Sequence, residues 1–190
     1  MRTLVLYAHP NPESYGAALH VAVLEALKAK GHVVDDCDLH AEGFQPVLTR
    51  EERVGYHTVP DNIAPVADYV RRVRDAEMLV VVTPIWNFGW PAILKGFFDR
   101  VFLPGVSFDL KDGKVSGALT NIKRVVFVTT YGASRLRAIL VGDPPRKIAT
   151  RVLRGVTAFK APIIYLAHYD MNLSTGQSRE AFLKKVSNAL

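Results

Sequence analysis

Met78-Leu79-Val80-Val81-Val82-Thr83 is an unbroken apolar run that opens into Thr83-Pro84-Ile85-Trp86-Asn87-Phe88-Gly89-Trp90-Pro91 and passes directly into Ala92-Ile93-Leu94-Lys95-Gly96-Phe97-Phe98-Asp99-Arg100-Val101-Phe102. The run is short, rich in β-branched residues and free of alternation, so it reads as a strand covered on both faces. The stretch from Pro91 to about Phe102 has helical spacing, and Pro91 is expected at the first helical position, where its missing N–H costs nothing. A buried strand, a stiff loop and a helix make half of a βαβ unit.

The same unit recurs in both directions. Upstream, Thr3–Ala8 is a continuous apolar strand, and Ser14–Lys30 follows with helical spacing at Leu19, Val23, Leu24 and Leu27 before Gly31. His32–Asp38 is a second strand, Ala41–Pro65 a long polar excursion with little period, and Val66–Asp75 a short helix. Downstream, Asp109–Gly117, with Asp112-Gly113, reads as a surface turn. Arg124–Thr130 is a fourth buried strand, Pro145–Phe159 a helix, Ile163–Ala167 a last strand and Gln177–Ala189 a closing helix. Five near-continuous apolar strands separated by helices predict an α/β, doubly wound, five-stranded parallel sheet in the common order 2-1-3-4-5. The whole chain, 1–190, reads as one domain, because 190 residues suffice for one well-buried core and are few for two.

Composition narrows the function. Half of the residues are apolar and 22% are charged, which excludes a disordered chain. The net charge of +6 attracts anions, and the basic residues look scattered, which favours anionic small molecules over nucleic acid. The single Cys37 has no partner for an internal disulfide and is expected as a small buried strand residue in a reducing compartment. No apolar run approaches the length of a membrane span, so membrane insertion is not expected and a cytoplasmic location is.

In open sheets of this order, ligands bind beyond the carboxyl ends of strands 1, 3 and 4, where the strand order reverses. The three loops there are the unusual ones. His9-Pro10-Asn11-Pro12-Glu13-Ser14-Tyr15-Gly16 leads into a helix that Ser14 can cap, and a helix N-terminus is a phosphate site. Neither the G-x-G-x-x-G fingerprint nor a Walker motif is present. Pro84, Ile85, Trp86, Asn87 and Phe88 form a stiff aromatic rim suited to a planar ring, with Trp90 equally suited to core packing. Thr129-Thr130-Tyr131-Gly132-Ala133-Ser134 offers hydroxyl and backbone donors to the polar edge of such a ring. A phosphate cradle, an aromatic platform and a donor-rich loop on one edge suit FMN better than ATP or NAD. No Ser-His-Asp or Cys-His set and no metal site is apparent in these loops.

Several of these pieces occur together in a known family. Ala8-His9-Pro10 with Ser14, Leu39 to Phe44 with Pro46 and Val47, the stretch Pro91 to Phe102, and Thr129-Thr130-x-Gly132 resemble the NAD(P)H:quinone oxidoreductases, DT-diaphorase-like proteins of flavodoxin-like fold. The resemblance implies a homodimer with a flavin at each subunit boundary and NADH or NADPH as donor to a quinone-like acceptor. The phosphate site beside the aromatic loop favours FMN, with FAD the alternative, and a ring with one open face predicts two-electron, ping-pong transfer. It implies flavin contacts at His9, Ser14, Tyr15, Gly16, Pro84, Ile85, Trp86, Asn87, Phe88, Thr129, Thr130, Tyr131 and Gly132. Two departures matter: Gly16 and Tyr131 stand where the family commonly has Asn and Gly. The tyrosine and histidine that stabilise reduced flavin in the diaphorases have no clear counterpart along Arg135-Leu136-Arg137 and Gly142-Asp143-Pro144, which makes Tyr131 and Arg137 the catalytic candidates. A flavodoxin-type electron carrier and a flavin-binding ancillary subunit of a transporter are the alternatives. A receiver domain is not supported, because Asp35-Asp36 is expected at the start of its strand, the wrong end of the sheet.

Overall fold

A computed structural model of the chain describes residues 1–190. In chain order its regular elements are β1 (Arg2–Tyr7), α1 (Tyr15–Ala29), β2 (Val33–Asp38), α2 (Arg50–Val54), α3 (Ala67–Asp75), β3 (Met78–Ile85), α4 (Ala92–Val101), β4 (Phe108–Lys111), β5 (Lys114–Gly117), β6 (Arg124–Tyr131), α5 (Arg135–Leu140), α6 (Pro144–Lys147), α7 (Leu153–Val156), β7 (Ile163–His168) and α8 (Gly176–Ala189). The main sheet is five-stranded and all parallel, in the order β2-β1-β3-β6-β7. Counted by sheet strands alone this is 2-1-3-4-5, as the apolar runs predict.

The absence of alternation in β3 has a direct cause. Val80 and Val82 feed a core under α1 and α8 with Val5, Val126, Phe182 and Val186, while Leu79 and Val81 feed the opposite core with Leu94, Phe97 and Phe127. Both faces are dry, so Met78 to Val82 are apolar at every position. On the second face α4 lies close to the chain before it: a Cβ on Gly96 would fall 2.2 Å from the Pro46 carbonyl oxygen and 2.5 Å from its Cα. Only a glycine permits that approach. The Glu52 carboxylate of α2 receives the Arg100 guanidinium of α4 (Nε–Oε1 2.9 Å), tying the two helices together.

Several expected boundaries shift. The excursion 41–65 contains α2, closed by a capping box between Thr49 and Glu52, and a 3₁₀ turn at Asp61–Val66. Pro91 is the residue before α4, extended at φ −52° and ψ 146°, and not its first helical residue. Asp109–Gly117 is not a simple turn: β4 and β5 pair as a hairpin with left-handed Asp112 and Gly113 at its tip. The expected helix 145–159 is present as a continuous helical run, Pro144 to Val156, with a π-helical turn at Ile148–Val152 between α6 and α7. Asp35 and Asp36 lie within β2, not at its start, and are held by Arg72 and His20. Cys37 is fully buried, and that burial pushes its thiol up to about 12, which leaves it unreactive.

The expectation of scattered basic residues is corrected most sharply. Of 24 basic and 18 acidic residues, seven and one lie in 135–160, which leaves 17 of each elsewhere. The excess of +6 sits on one segment.

Candidate flavin site at the carboxyl edge of the sheet

The ends of β1, β3 and β6 are neighbours, so the three unusual loops meet at one edge. Loop one is stiffened from within: the Asn11 amide donates to His9 Nδ1 at 3.1 Å, and the Glu13 amide to Asn11 Oδ1 at 2.8 Å. His9 therefore carries its proton on Nε2, and burial, with the nearby His40, holds it below the usual imidazole range, that is, neutral. Ser14 caps α1 by accepting from the Ala17 amide at 3.1 Å. The amides of Tyr15 and Gly16 in the first helical turn have no acceptor in the chain. Tyr15 turns its hydroxyl away, donating to the Arg179 carbonyl at 2.7 Å, so its side chain braces α1 against α8 and only its backbone faces the edge.

Loop two is a two-residue hairpin. Trp86 and Gly89 exchange both backbone hydrogen bonds, at 3.0 and 2.8 Å, and the tip residues Asn87 (φ 49°) and Phe88 (φ 56°) are both left-handed. Such a mirror-image turn is normally Asn-Gly; a phenylalanine there is held against a backbone cost of about 1–2 kcal/mol. Strain of this kind gathers at ligand sites. The amides of Asn87 and Phe88 have no acceptor in the chain. Trp86, 45% exposed, sets its ring edge-on to His9 with centroids 5.8 Å apart, joining loop two to loop one. Phe88 packs on Ile85, Tyr131 and Ala138. Trp90 leaves the rim altogether and stacks on Phe127 at 5.7 Å, the core-packing alternative. Pro84 is buried in β3 opposite Thr130, leaving only its backbone for the edge.

Loop three is organised by α5, a helix the sequence reading missed although its signals are present. Ser134 caps it by accepting from the Arg137 amide. Gly142 (φ 86°) ends it: the Asp143 amide donates to the Ala138 carbonyl and the Gly142 amide to Ile139, the paired bonds of a Schellman motif. That motif turns Asp143 inward, where its Oδ1 accepts from the Tyr131 hydroxyl at 2.8 Å. The Tyr131 and Tyr165 hydroxyls are 2.6 Å apart. Burial, followed by Tyr165 and Asp143, drives the Tyr131 phenol well above its ordinary range, so it stays protonated. Arg146 completes the cluster, its Nε 3.4 Å from Asp143 Oδ2 and its guanidinium 4.7 Å from the Tyr165 ring centroid. Thr129 spends its hydroxyl on the Leu166 carbonyl. Thr130 is half-buried and Gly132 exposed, so this loop offers backbone groups to the edge. Arg137 is exposed on α5 with its side chain free of ion pairs. The structure thus brings loops one, two and three together, but it points the Tyr131 hydroxyl into the protein.

Around the corner from this edge runs an open apolar groove of about 730 Å³ between α4, the β4–β5 hairpin and the π-turn, lined by Trp90, Phe98, Phe102, Val115, Val152 and Val156 among others. The Trp90 Nε1 and Ser107 Oγ atoms buried in its wall have no hydrogen-bond partner. No helix is long and apolar enough to cross a membrane.

A parallel sheet of this order, with unpartnered amides at its first and third strand ends, defines a doubly wound α/β protein of flavodoxin-like topology. Residues 1–159 match the family described by its flavodoxin-like fold, and the chain belongs to that family. It is similar to NAD(P)H dehydrogenase [quinone] 1 of Cavia porcellus, 30% identical over 154 residues, 73% of this chain and 56% of that one. It is similar also to an NAD(P)H oxidoreductase of Haemophilus influenzae, 32% identical over 132 residues, 68% of this chain and 64% of that one. The chain therefore spans a little over half to two-thirds of the length of these curated relatives. Among solved structures, Smu.1420 of Streptococcus mutans superposes with a TM-score of 0.87 at 30% identity, covering 100% of this chain and 98% of that one. An FMN-dependent NADH-azoreductase of Bacillus anthracis, solved with FMN, shares the fold at a TM-score of 0.79 and 15% identity, covering 100% and 97%.

Proposed function

We propose that the chain is a flavin-dependent NAD(P)H oxidoreductase that passes two electrons to quinones or similar flat acceptors. The observation that carries this reading is a pair of unpartnered amide sets, Tyr15–Gly16 and Asn87–Phe88, on neighbouring strand ends. The residues present fit a flavin: an anionic group suits the N-terminus of the 15-residue α1, and a ring with polar edges suits the rigid hairpin tip. The relatives' names point the same way. FMN is favoured over FAD, with NADH or NADPH as donor.

When bound, the flavin supplies the hydride and electron chemistry. The chain supplies position and charge. Ser14, Tyr15 and Gly16 hold the phosphate; Trp86 and His9 form one wall, with His9 Nε2–H as a donor; Pro84 to Phe88 and Thr129 to Gly132 offer backbone groups to the ring. Arg137 is assigned to offset negative charge that builds up at the site, an electrostatic role. Tyr131 is assigned to position loop three through Asp143. The groove beside Trp90 is assigned to a second copy of the chain, whose polar groups would partner Trp90 Nε1 and Ser107 Oγ, giving a homodimer. A cytoplasmic location is part of the same reading.

Titration with FMN and FAD, followed by steady-state NAD(P)H oxidation with a soluble quinone and no partner protein, tests it. Flavin-dependent turnover is expected. A chain that binds neither flavin overturns the reading, and one that binds flavin without turnover returns it to the electron-carrier or transporter-subunit alternatives.

A further inference from the structure

The helix α5 is built inside out. Its buried side is Ala138 alone, while Leu136, Ile139 and Leu140, at spacings that share one helical face, are 66, 57 and 76% exposed. Val141, just past the helix, is 48% exposed. None of these four belongs to a core cluster, so the fold does not require them to be apolar. Contiguous exposed apolar residues mark a surface that meets something.

The charge around them says what. Arg135 and Arg137 flank Leu136, and Lys147, Arg151 and Arg154, spaced by four and three residues, are all exposed along α6, the π-turn and α7, opposite the buried Ala149 and Leu153. The Lys147 ammonium lies next to Gly142, within 3.4 Å of where a Cβ there would stand, so this stripe begins where the apolar face ends. The segment's only acidic residue, Asp143, is buried against Tyr131. The segment 135–160 thus carries the chain's charge excess, and its exposed Arg135, Arg137, Lys147, Arg151 and Arg154 flank the exposed apolar helix or follow it along α6 to α7.

We propose that this face docks on the surface of an anionic lipid bilayer. A second copy of the chain is already assigned to the groove beside Trp90, and a twofold pairing through α5 itself would set Arg135 and Arg137 against their own copies, so α5 is left to another occupant. Nucleic acid supplies anions but offers phosphate and sugar to a protein surface, not a medium for leucine and isoleucine side chains. A bilayer interface offers both: anionic headgroups for the arginines and acyl chains for Leu136, Ile139 and Leu140. The buried side of α5 rests on Ile85 and Tyr131, so a docked membrane would lie next to the edge where the three loops meet.

Co-sedimentation of the full chain with phosphatidylcholine vesicles, with and without phosphatidylglycerol, tests the docking without reference to catalysis. Binding is expected to the anionic vesicles at low salt, to weaken as ionic strength rises past ~0.15 M, and to be absent with phosphatidylcholine alone. Each basic residue near such a surface contributes roughly a fivefold step in partitioning, so Arg151→Gln with Arg154→Gln is expected to lower binding about 25-fold. Leu140→Glu should lower it while leaving cooperative unfolding intact; if that variant does not fold, Leu140→Ser is the substitute. Equal partitioning to both vesicle types, binding indifferent to the arginine changes, or binding to duplex DNA or polyglutamate in preference to the anionic vesicles overturns the proposal.

Discussion

Tyr131 donates its hydroxyl to Asp143 at 2.8 Å, across the segment 132–142 that holds α5. The bond closes loop three on itself and leaves both groups buried. Removing the phenol strands a buried carboxylate oxygen, so Tyr131→Phe should cost roughly 1–3 kcal/mol in urea unfolding. In the proposed enzyme it should lower turnover more than flavin affinity, because the flavin is met by backbone groups. Arg137→Ala should do the same without the stability loss. Unchanged turnover in both variants would remove them from the mechanism.

Ser14 offers a way to separate folding from phosphate binding. Ser14→Ala loses the cap of α1 and should destabilise by about 1 kcal/mol. Ser14→Asp keeps the cap but sets a carboxylate where the phosphate is expected, so stability should hold while flavin affinity falls at least tenfold. Equal flavin affinity in the Asp variant and the parent, by fluorescence titration, would place the phosphate elsewhere.

The Glu52–Arg100 pair links α2 to α4, with both side chains about nine-tenths buried. Burial alone would raise the Glu52 carboxyl, but the Arg100 guanidinium and the Thr49 amide outweigh it and the net shift is downward. A lowered folded-state value means the pair's stabilisation is full above the ordinary glutamate range and fades as pH falls through that lowered value. Glu52→Gln should flatten this part of the pH–stability curve. Arg100→Met, which leaves a buried carboxylate unpaired, should cost roughly 3–5 kcal/mol near neutral pH.

Gly96→Ala should be severe for a small change. The added methyl meets Pro46 backbone, which cannot rotate out of the way, so α4 or the 44–48 segment must shift. A loss of about 1–3 kcal/mol is expected by thermal or urea unfolding. A variant as stable as the parent would mean that the two segments separate freely.

For the enzyme reading, donor and acceptor should compete for one open face of the bound ring, because Trp86 and His9 would wall off the other. Double-reciprocal plots against NAD(P)H at several quinone concentrations should then be parallel. Intersecting lines would require two separate binding faces.

By itself the sequence determined the sheet. Residues 78–82, 4–8 and 125–128 are apolar at every position, and such runs suit a parallel sheet covered on both faces, for which 2-1-3-4-5 is a common order. It also located the three loops, because their prolines, glycines, aromatics and hydroxyls stand out against plain strand ends. What it could not determine were relations between residues distant along the chain or set by a local turn. Trp86, Phe88 and Trp90 look alike in sequence, yet one faces solvent, one packs on Tyr131 and one stacks on Phe127; their alternation is broken by the left-handed Asn87–Phe88 tip. Tyr131 looked like a free donor until the Schellman turn at Gly142 delivered Asp143 to it. The basic excess of 135–160 can be counted along the chain, but only the structure shows that its one acid, Asp143, is buried and that Leu136, Ile139 and Leu140 face outward beside it. Packing and turn geometry, which act through space, decided these points; hydrophobic patterning, which acts along the chain, decided the fold.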